Sequence, residues 1–500
     1  KAYKKLKSSV YFDKTQLILR NAIVEFEMKD DINKELNKIY KQLLDEDEFM
    51  KLKESIIQSV SVLSLPKKLG DNGCNIIMNS VPKITNVKEL QHFIDMKVEG
   101  HILGVMWIML IGYKIDNSIY EHSYGNRIRK NLINELSDNP TYSPYLFEPY
   151  FEQYESWRNK AISKAEKLMG LNQDVVIITM DFRKYYYSID ADREVFDDLY
   201  KEAFSDDNEY SDENIVILKR LNDLMYDIIE KYSKLFENEY ESRHILPIGF
   251  LPSNVIGNWC LKNFDKAVVN GWNPAYYGRY VDDVLIVDKI ERNSDIYQMA
   301  KNDSLERSHI INFFLKKCSK WGGIVLDDHK NDCKNDCEDD SKFALLQVYK
   351  GKTEEIQGIN NDNNKNTDNE EIYRVNQKYN VCENNKSKII VHNDKVKIFY
   401  FKSNESDALL TCFKDNISRN ISEFRHLPED EAVFQKDDYS EIYTIDSSDT
   451  INKFRGIDGI SIDKFELSKF LGKYLRIGGL IQDKIESKFE KDVLKIFNLR

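Results

Sequence analysis

Long apolar runs are scarce in this chain. The longest, ILGVMWIMLIGY at residues 102–113, falls well short of the roughly 20 residues that cross a bilayer, so a buried helix or strand is expected there, and no membrane partner. Cysteine is sparse too. The seven present are an odd number, and no signal-peptide pattern opens the chain, which excludes a disulfide-stapled secreted scaffold and suits reduced thiols in the cytoplasm. Positive charge is in deficit: the formal net charge is −12 and the pI about 5.4, so the whole-chain balance lacks the basic footprint of a nucleic-acid binder. Local excess is nevertheless present, since Lys1, Lys4, Lys5, Lys7, Lys14 and Arg20 face only Asp13 at the start of the chain. No internal repeat is found, which removes the solenoid architectures.

Apolar and aromatic residues are plentiful, 41% and 12% of 500, enough for sizeable cores in roughly two to four domains. The most pointed stretch is YGRYVDDVLIVD at residues 277–288. Asp282 and Asp283 interrupt a run (Tyr280, Val281, then Val284, Leu285, Ile286, Val287) that would otherwise suit buried strands. A hairpin with acid at its tip is expected. Neighbouring strand acids point to opposite faces and repel one another, so a fold that places them there usually supplies a cation.

Residues 1–60 carry helical periodicity, with Leu17, Ile18, Ala22, Ile23 and Phe26, then Ile39, Leu43 and Leu44, and are expected to form a helical N-terminal extension. Short strands and loops follow over 60–113, then a loop bearing Arg127 and Arg129. Residues 154–169 read as an amphipathic helix with Trp157, Ala161, Ile162, Ala165 and Leu168 on one face. It leads into VVIITM at 175–180, a β-branched run too short for a helix, which delivers Asp181 to the end of a strand. Residues 191–240 read as helical and acidic, with a solvated loop at 205–213. LPIGFLPSN at 246–254 is a punctuated loop before a helix that Ser253 or Asn254 would cap. After the hairpin, a helix at 310–321 and a short strand at 324–326 are expected. Residues 351–394, rich in Asn, Asp, Glu and Lys, read as a flexible insertion. A strand resumes at 395–401, and helices are expected at 408–421 and 465–480. The chain begins without Met and stops just after a charged amphipathic pattern, so both ends read as cut.

If the strand ending in Asp181 pairs with the hairpin, three carboxylates converge. They would hold two Mg²⁺ ions, hard cations that take oxygen ligands and keep positions for substrate phosphates. Two such ions, roughly 3.5–4 Å apart, activate a 3′-hydroxyl and stabilise a leaving pyrophosphate. An isolated Asp-Asp is more often a turn or an edge acid. Further stretches in matching order and spacing reverse that preference.

Residues 181–189 resemble the first catalytic motif of reverse transcriptases, 246–258 their template- and nucleotide-facing loop, Tyr280-Val281-Asp282-Asp283 their YxDD box, and 323–330 the following G…K motif. The chain is similar to bacterial reverse transcriptases, in particular the abortive-infection and "unknown group" defence branch. The Ser-Ile of the first motif, the GxxPSN loop, and the segments ISEFRHLP at 421–428 and NKFR at 452–455 carry that likeness. The resemblance implies an α+β right-hand polymerase: fingers over 61–245 holding the first palm strand at 175–190, a βαββαβ palm with the catalytic hairpin over 246–350, and the palm end with a helical thumb over 395–500. It implies Asp181, Asp282 and Asp283 as metal ligands, with the Phe182 carbonyl as an additional one. Tyr186 matches the bulky residue that excludes a ribose 2′-hydroxyl, and Gly249 the point where backbone approaches the incoming base pair. Lys330 matches a lysine near the pyrophosphate, where an ammonium neutralises or protonates the leaving group. Arg127 and Arg129 would contact nucleotide or template phosphate, and Arg183 and Lys184 would add positive charge. Arg279 fits either a primer backbone or an acid.

The implied activity is RNA-directed DNA polymerase, adding dNTPs with two Mg²⁺ ions in bacterial antiphage defence. A non-coding RNA and/or DNA primer, and a partner protein or homo-oligomer, are the implied partners. A tyrosine primer is allowed, with none of the 29 tyrosines singled out. Two departures matter. Ile248 stands where many reverse transcriptases carry Gln, and no clear primer-grip turn follows Lys330. Template-independent polymerisation and a non-catalytic assembly subunit on the same fold therefore stay open. His329, Cys333, Cys337 and Cys318 invite a zinc reading, which the acidic surroundings and the lack of a C-x2-C knuckle disfavour. No nuclease constellation is visible.

Overall fold

The computed structural model describes residues 1–12, 17–29, 31–69, 87–130, 145–205, 212–236, 239–306, 308–311, 345–351, 370–382, 385–391, 396–403, 443–447 and 457–462. Lys330, the zinc candidates His329, Cys318, Cys333 and Cys337, and the segments expected at 324–326, 408–421 and 465–480 lie outside these residues. The chain divides into two compact units, residues 1–64 with 92–410, and residues 65–91 with 411–500.

The first unit opens with helices α1 (Ala2–Phe12), α2 (Leu17–Glu27), α3 (Ile32–Leu44) and α4 (Glu46–Ser59). Asp31 and Asp45 cap α3 and α4, accepting from the Lys34 and Glu48 amides. These helices occupy the stretch expected as a helical extension and pack inward: Leu6, Val10 and Ile56 are buried in the common core. Lys5, counted above among local positive charges, is itself enclosed and donates to the Tyr145 carbonyl at 3.1 Å. Strands β1 (Ser61–Leu69) and β2 (Val87–Asp95) pair as a ribbon.

Helix α5 then runs over Val98–Asp116, passing through a π-helical turn at Ile108–Gly112. It is longer than the apolar run within it. At 19 residues it would span a membrane by length and composition, yet 72% of it is buried inside the protein, where α1 packs against it. It is a core helix.

Helix α6 (Tyr150–Gly170) feeds β3 (Asp174–Asp181); then come α7 (Tyr185–Ser188), α8 (Arg193–Ala203), α9 (Asp212–Lys234), α10 (Leu251–Cys260) and α11 (Lys262–Ala267). Strands β4 (Tyr276–Tyr280) and β5 (Asp283–Ile290), helix α12 (Asp295–Lys301), and strands β6 (Leu346–Gly351), β7 (Glu370–Val375) and β8 (Lys397–Phe401) follow. In the second unit the described residues include the pair β9 (Tyr443–Ser447) and β10 (Ile457–Ile462).

The central sheet has the order β4-β5-β3-β8 and is antiparallel throughout. Its strands come in chain order β3, β4, β5, β8, with helices α7–α11 between β3 and β4 and with α12, β6 and β7 among the described residues between β5 and β8; β3 takes an interior position. VVIITM suits that position because β3 has neighbours on both edges and α6 across one face. The Tyr276 hydroxyl of β4 donates to the Trp157 carbonyl of α6 at 2.7 Å.

Residues 370–382 and 385–391 overturn part of the expected flexible insertion. Strand β7 pairs with β6, and Ile372, Val375, Ile389, Ile390 and Val391 are buried. The polar composition misleads because its asparagines serve buried backbone. Asn385 Nδ2 donates to the Asp190 carbonyl at 2.7 Å, and Asn380 Nδ2 to the Asn385 carbonyl at 3.1 Å.

Candidate active site

Antiparallel pairing of β3 with β5 sets Asp181 directly opposite Asp283. Tyr280 also pairs with Asp283 across β4 and β5, which leaves Val281 and Asp282 as a two-residue turn. The Phe182 amide donates to the Asp282 carbonyl at 3.2 Å. Three acids remote in sequence are thus brought to one end of one sheet. Their backbones are adjacent. Among the described residues the group whose ligand atoms all lie within 4.8 Å of one another is Glu194, Asp198 and Cys382. There burial, aided by Asp198, holds the Cys382 thiol up at about 12, in the protonated form that binds metals poorly.

The turn itself is unusual. Val281 has φ 57°, a left-handed conformation that costs a β-branched residue about 1–2 kcal/mol and that a two-residue hairpin turn normally gives to glycine. Beneath it lies Arg279, fully buried with its partner Asp265. Arg279 Nε donates to Asp265 Oδ1 at 2.9 Å and Nη2 to Oδ2 at 2.8 Å. Nη1 donates to Asn258 Oδ1 at 3.0 Å and to the Val281 carbonyl at 2.7 Å. Asn258 Nδ2 in turn donates to the Gly125 carbonyl at 2.7 Å. A Cβ on Gly125 would lie 2.7 Å from the Val281 nitrogen, so only glycine admits this close approach. Hydrogen bonds to charged groups contribute about 1.5–3 kcal/mol each, enough to outweigh the strain of the turn. Burial lowers the Arg279 pKa, but the Asp265 carboxylate more than offsets this and the net shift is upward. Of the two roles expected for Arg279, the acid contact is the one present.

Tyr186 lies on the one-turn helix α7, entered through Lys184 at φ 48°. At 3.6 residues per turn the three consecutive tyrosines point in three directions. The Tyr185 hydroxyl donates to the Gly257 carbonyl at 2.6 Å. Tyr187 stacks on Tyr240, centroids 5.3 Å apart. Tyr186 is half-buried and donates to Asn254 Oδ1 at 2.7 Å. Burial first, and then the charge of Asp282, raise its pKa, against an opposing hydrogen bond with Asn126. Asn254 is not the expected cap, because α10 begins at Leu251 after Phe250 and lacks a side-chain cap.

Gly249 has φ 87°, so its place in the loop is dictated by a conformation that side chains rarely adopt. The neighbouring Ile248 carbonyl accepts from the Ile94 amide at 2.9 Å. The Arg183 amide, just past the acids, donates to the Ile390 carbonyl at 2.8 Å. Arg127, expected at a nucleotide or template phosphate, is bonded within the chain. Its Nε donates to both Asp116 oxygens at 3.1 Å, and its Nη atoms to the carbonyls of Asp116, Tyr120 and Ser123. The fork is used to close a loop. Arg129 pairs with Glu148 at 3.6 Å.

Sequence reasoning passed over Asn126, Asn258 and Asp265, and took Asn254 only as a helix cap. Asp265 carried a usable signal: an acid beside Phe264 within an apolar-periodic helix needs a buried partner. Tyr154 was taken only as a helix-face residue, yet its ring lies 5.4 Å from that of Tyr280, and burial with Asp283 raises both pKa values. No protein-family model matches this chain, and no curated protein does either.

Proposed function

We propose that the chain is a nucleotidyltransferase of the reverse-transcriptase kind, adding deoxynucleotides to a 3′-hydroxyl. The observation that carries this reading is the register that sets Asp181 against Asp283, with Asp282 in the intervening turn. An all-carboxylate donor set suits magnesium. Asp181, Asp282 and Asp283 would hold it, with the Phe182 backbone alongside. When bound, divalent ions supply activation of the attacking hydroxyl and neutralisation of the departing pyrophosphate. Tyr186, anchored by Asn254, occupies volume beside Asp282 and would reject a ribose by crowding its 2′-hydroxyl. The order of the sheet strands along the chain supports a palm. An antiphage role with a non-coding RNA or DNA primer rests on the motif resemblance.

The test is incorporation of each labelled dNTP with Mg²⁺, with and without added nucleic acid. Wild type should extend a 3′-end, and the Asp282→Asn/Asp283→Asn variant should not. No incorporation by wild type with its partners present would overturn the reading. Ile248 favours a second one, template-independent addition. Its side chain packs against the core and its carbonyl is tied to Ile94, so the loop offers no Gln-like polar group to a template. Identical products after nuclease removal of every template would select that alternative.

A further inference from the structure

We infer that Arg279 is a positioning residue, whose guanidinium, braced on Asp265 and Asn258, sets the Val281 turn that presents Asp282 and Asp283. Use of these acids for catalysis rests on the proposed function, whereas control of the turn rests on geometry alone.

A buried ion pair is a weak source of stability, because desolvation offsets most of its attraction and well-packed apolar residues serve as well. Its presence at full burial in a cramped site therefore points to a geometric task. The task is visible in the fourth arm of the network. Two nitrogens of the fork are spent on Asp265, and Nη1 bridges Asn258 Oδ1 and the Val281 carbonyl. The Tyr277 hydroxyl also donates to Asp265 Oδ1, so the carboxylate is held on several sides. Asn258 extends the brace to Gly125, whose bare Cα leaves the space the turn occupies. Strand β4, helices α10 and α11, and the loop at 123–126 all meet beneath one carbonyl. That carbonyl belongs to a residue whose backbone conformation is unfavourable in isolation. A lysine would not replace the fork, since one ammonium lacks the planar spread that reaches Asp265, Asn258 and Val281 together.

The test uses the full chain with methyl-labelled valine. Three variants are compared with wild type: Arg279→Lys, the charge-free double Arg279→Met/Asp265→Leu, and that double with Val281→Gly added. Wild type should show a sharp Val281 methyl signal with a cross-peak to Gly125. In Arg279→Lys and the double, unfolding should stay cooperative while that cross-peak is lost. Mn²⁺ binding, followed by electron paramagnetic resonance, should weaken about tenfold in the double, as when a residue orienting metal ligands is removed. Adding Val281→Gly should restore part of that affinity, because glycine adopts the positive φ unaided. A folded variant with an intact cross-peak and wild-type Mn²⁺ affinity would overturn the inference. So would loss of cooperative unfolding in both Arg279→Lys and the double, which would assign the pair to stability. If wild type itself fails to bind Mn²⁺ through Asp282, the proposed function falls, and the methyl signal still decides the role of Arg279.

Discussion

Asp181 and Asp283 are opposed in strand register with Asp282 in the adjoining turn, whereas Asp116 and Asp265 pair with arginines, and this difference in company predicts opposite consequences of substitution. Changing Asp282 and Asp283 together to Asn removes mutual repulsion, so the variant should unfold as cooperatively as wild type while losing incorporation. A collapsed melting transition would show instead that the pair is structural. Arg127→Ala should do the reverse. It strands the largely buried Asp116 charge and should cost about 3–5 kcal/mol, read as a lowered denaturation midpoint. Unchanged stability with a raised KM for dNTP would return Arg127 to the phosphate contact first expected of it. At Tyr186 the ring and the hydroxyl separate cleanly. Tyr186→Phe should keep discrimination between dNTP and rNTP and lose only about 1 kcal/mol with the Asn254 bond, whereas Tyr186→Ala should lose the discrimination. Equal incorporation ratios in wild type and Tyr186→Ala would end the steric role.

Among elements, the end of β3 and helix α7 are fastened by Asp190 at their exit. Its carboxylate accepts from the His244 amide at 2.8 Å and approaches His244 Nδ1 at 3.1 Å, while its own amide donates to Ser387 Oγ at 2.8 Å. Burial raises the Asp190 pKa, but the His244 hydrogen bonds outweigh it and the net shift is downward. A depressed carboxyl pKa contributes stability above the unfolded value, about 3.9, and that contribution disappears as pH falls through the folded value. The stability gap between wild type and Asp190→Asn should therefore be widest near neutrality and narrow below about pH 4. Urea midpoints across pH measure it, and a gap that stays constant would refute the clamp. Strand β3, the acidic hairpin and α6 were legible because their periodicity is local. The order at 370–382 and 385–391 was not, since it depends on distant pairing such as Asn385 Nδ2 with the Asp190 carbonyl.

For the whole molecule, the same distinction bears on how far the N-terminal helices are part of the core. Leu6, Val10 and Ile56 share the core with α5, an apolar helix that would be left with an uncovered face. Removing residues 1–59 should abolish cooperative thermal unfolding and promote aggregation. A fragment 60–500 that melts like the intact chain would make them a separable extension.

The sequence by itself determined the local pattern: an acid pair on a β-branched hairpin and a strand ending in Asp181. It did so because periodicity and branching report burial and backbone preference within a few residues. Tertiary structure alone decided that Asp181 opposes Asp283, that Arg127 is spent on Asp116, and that Arg279 braces a strained turn. The partner of a charge is set by strand register and helix docking across long stretches of chain, and no local pattern encodes it.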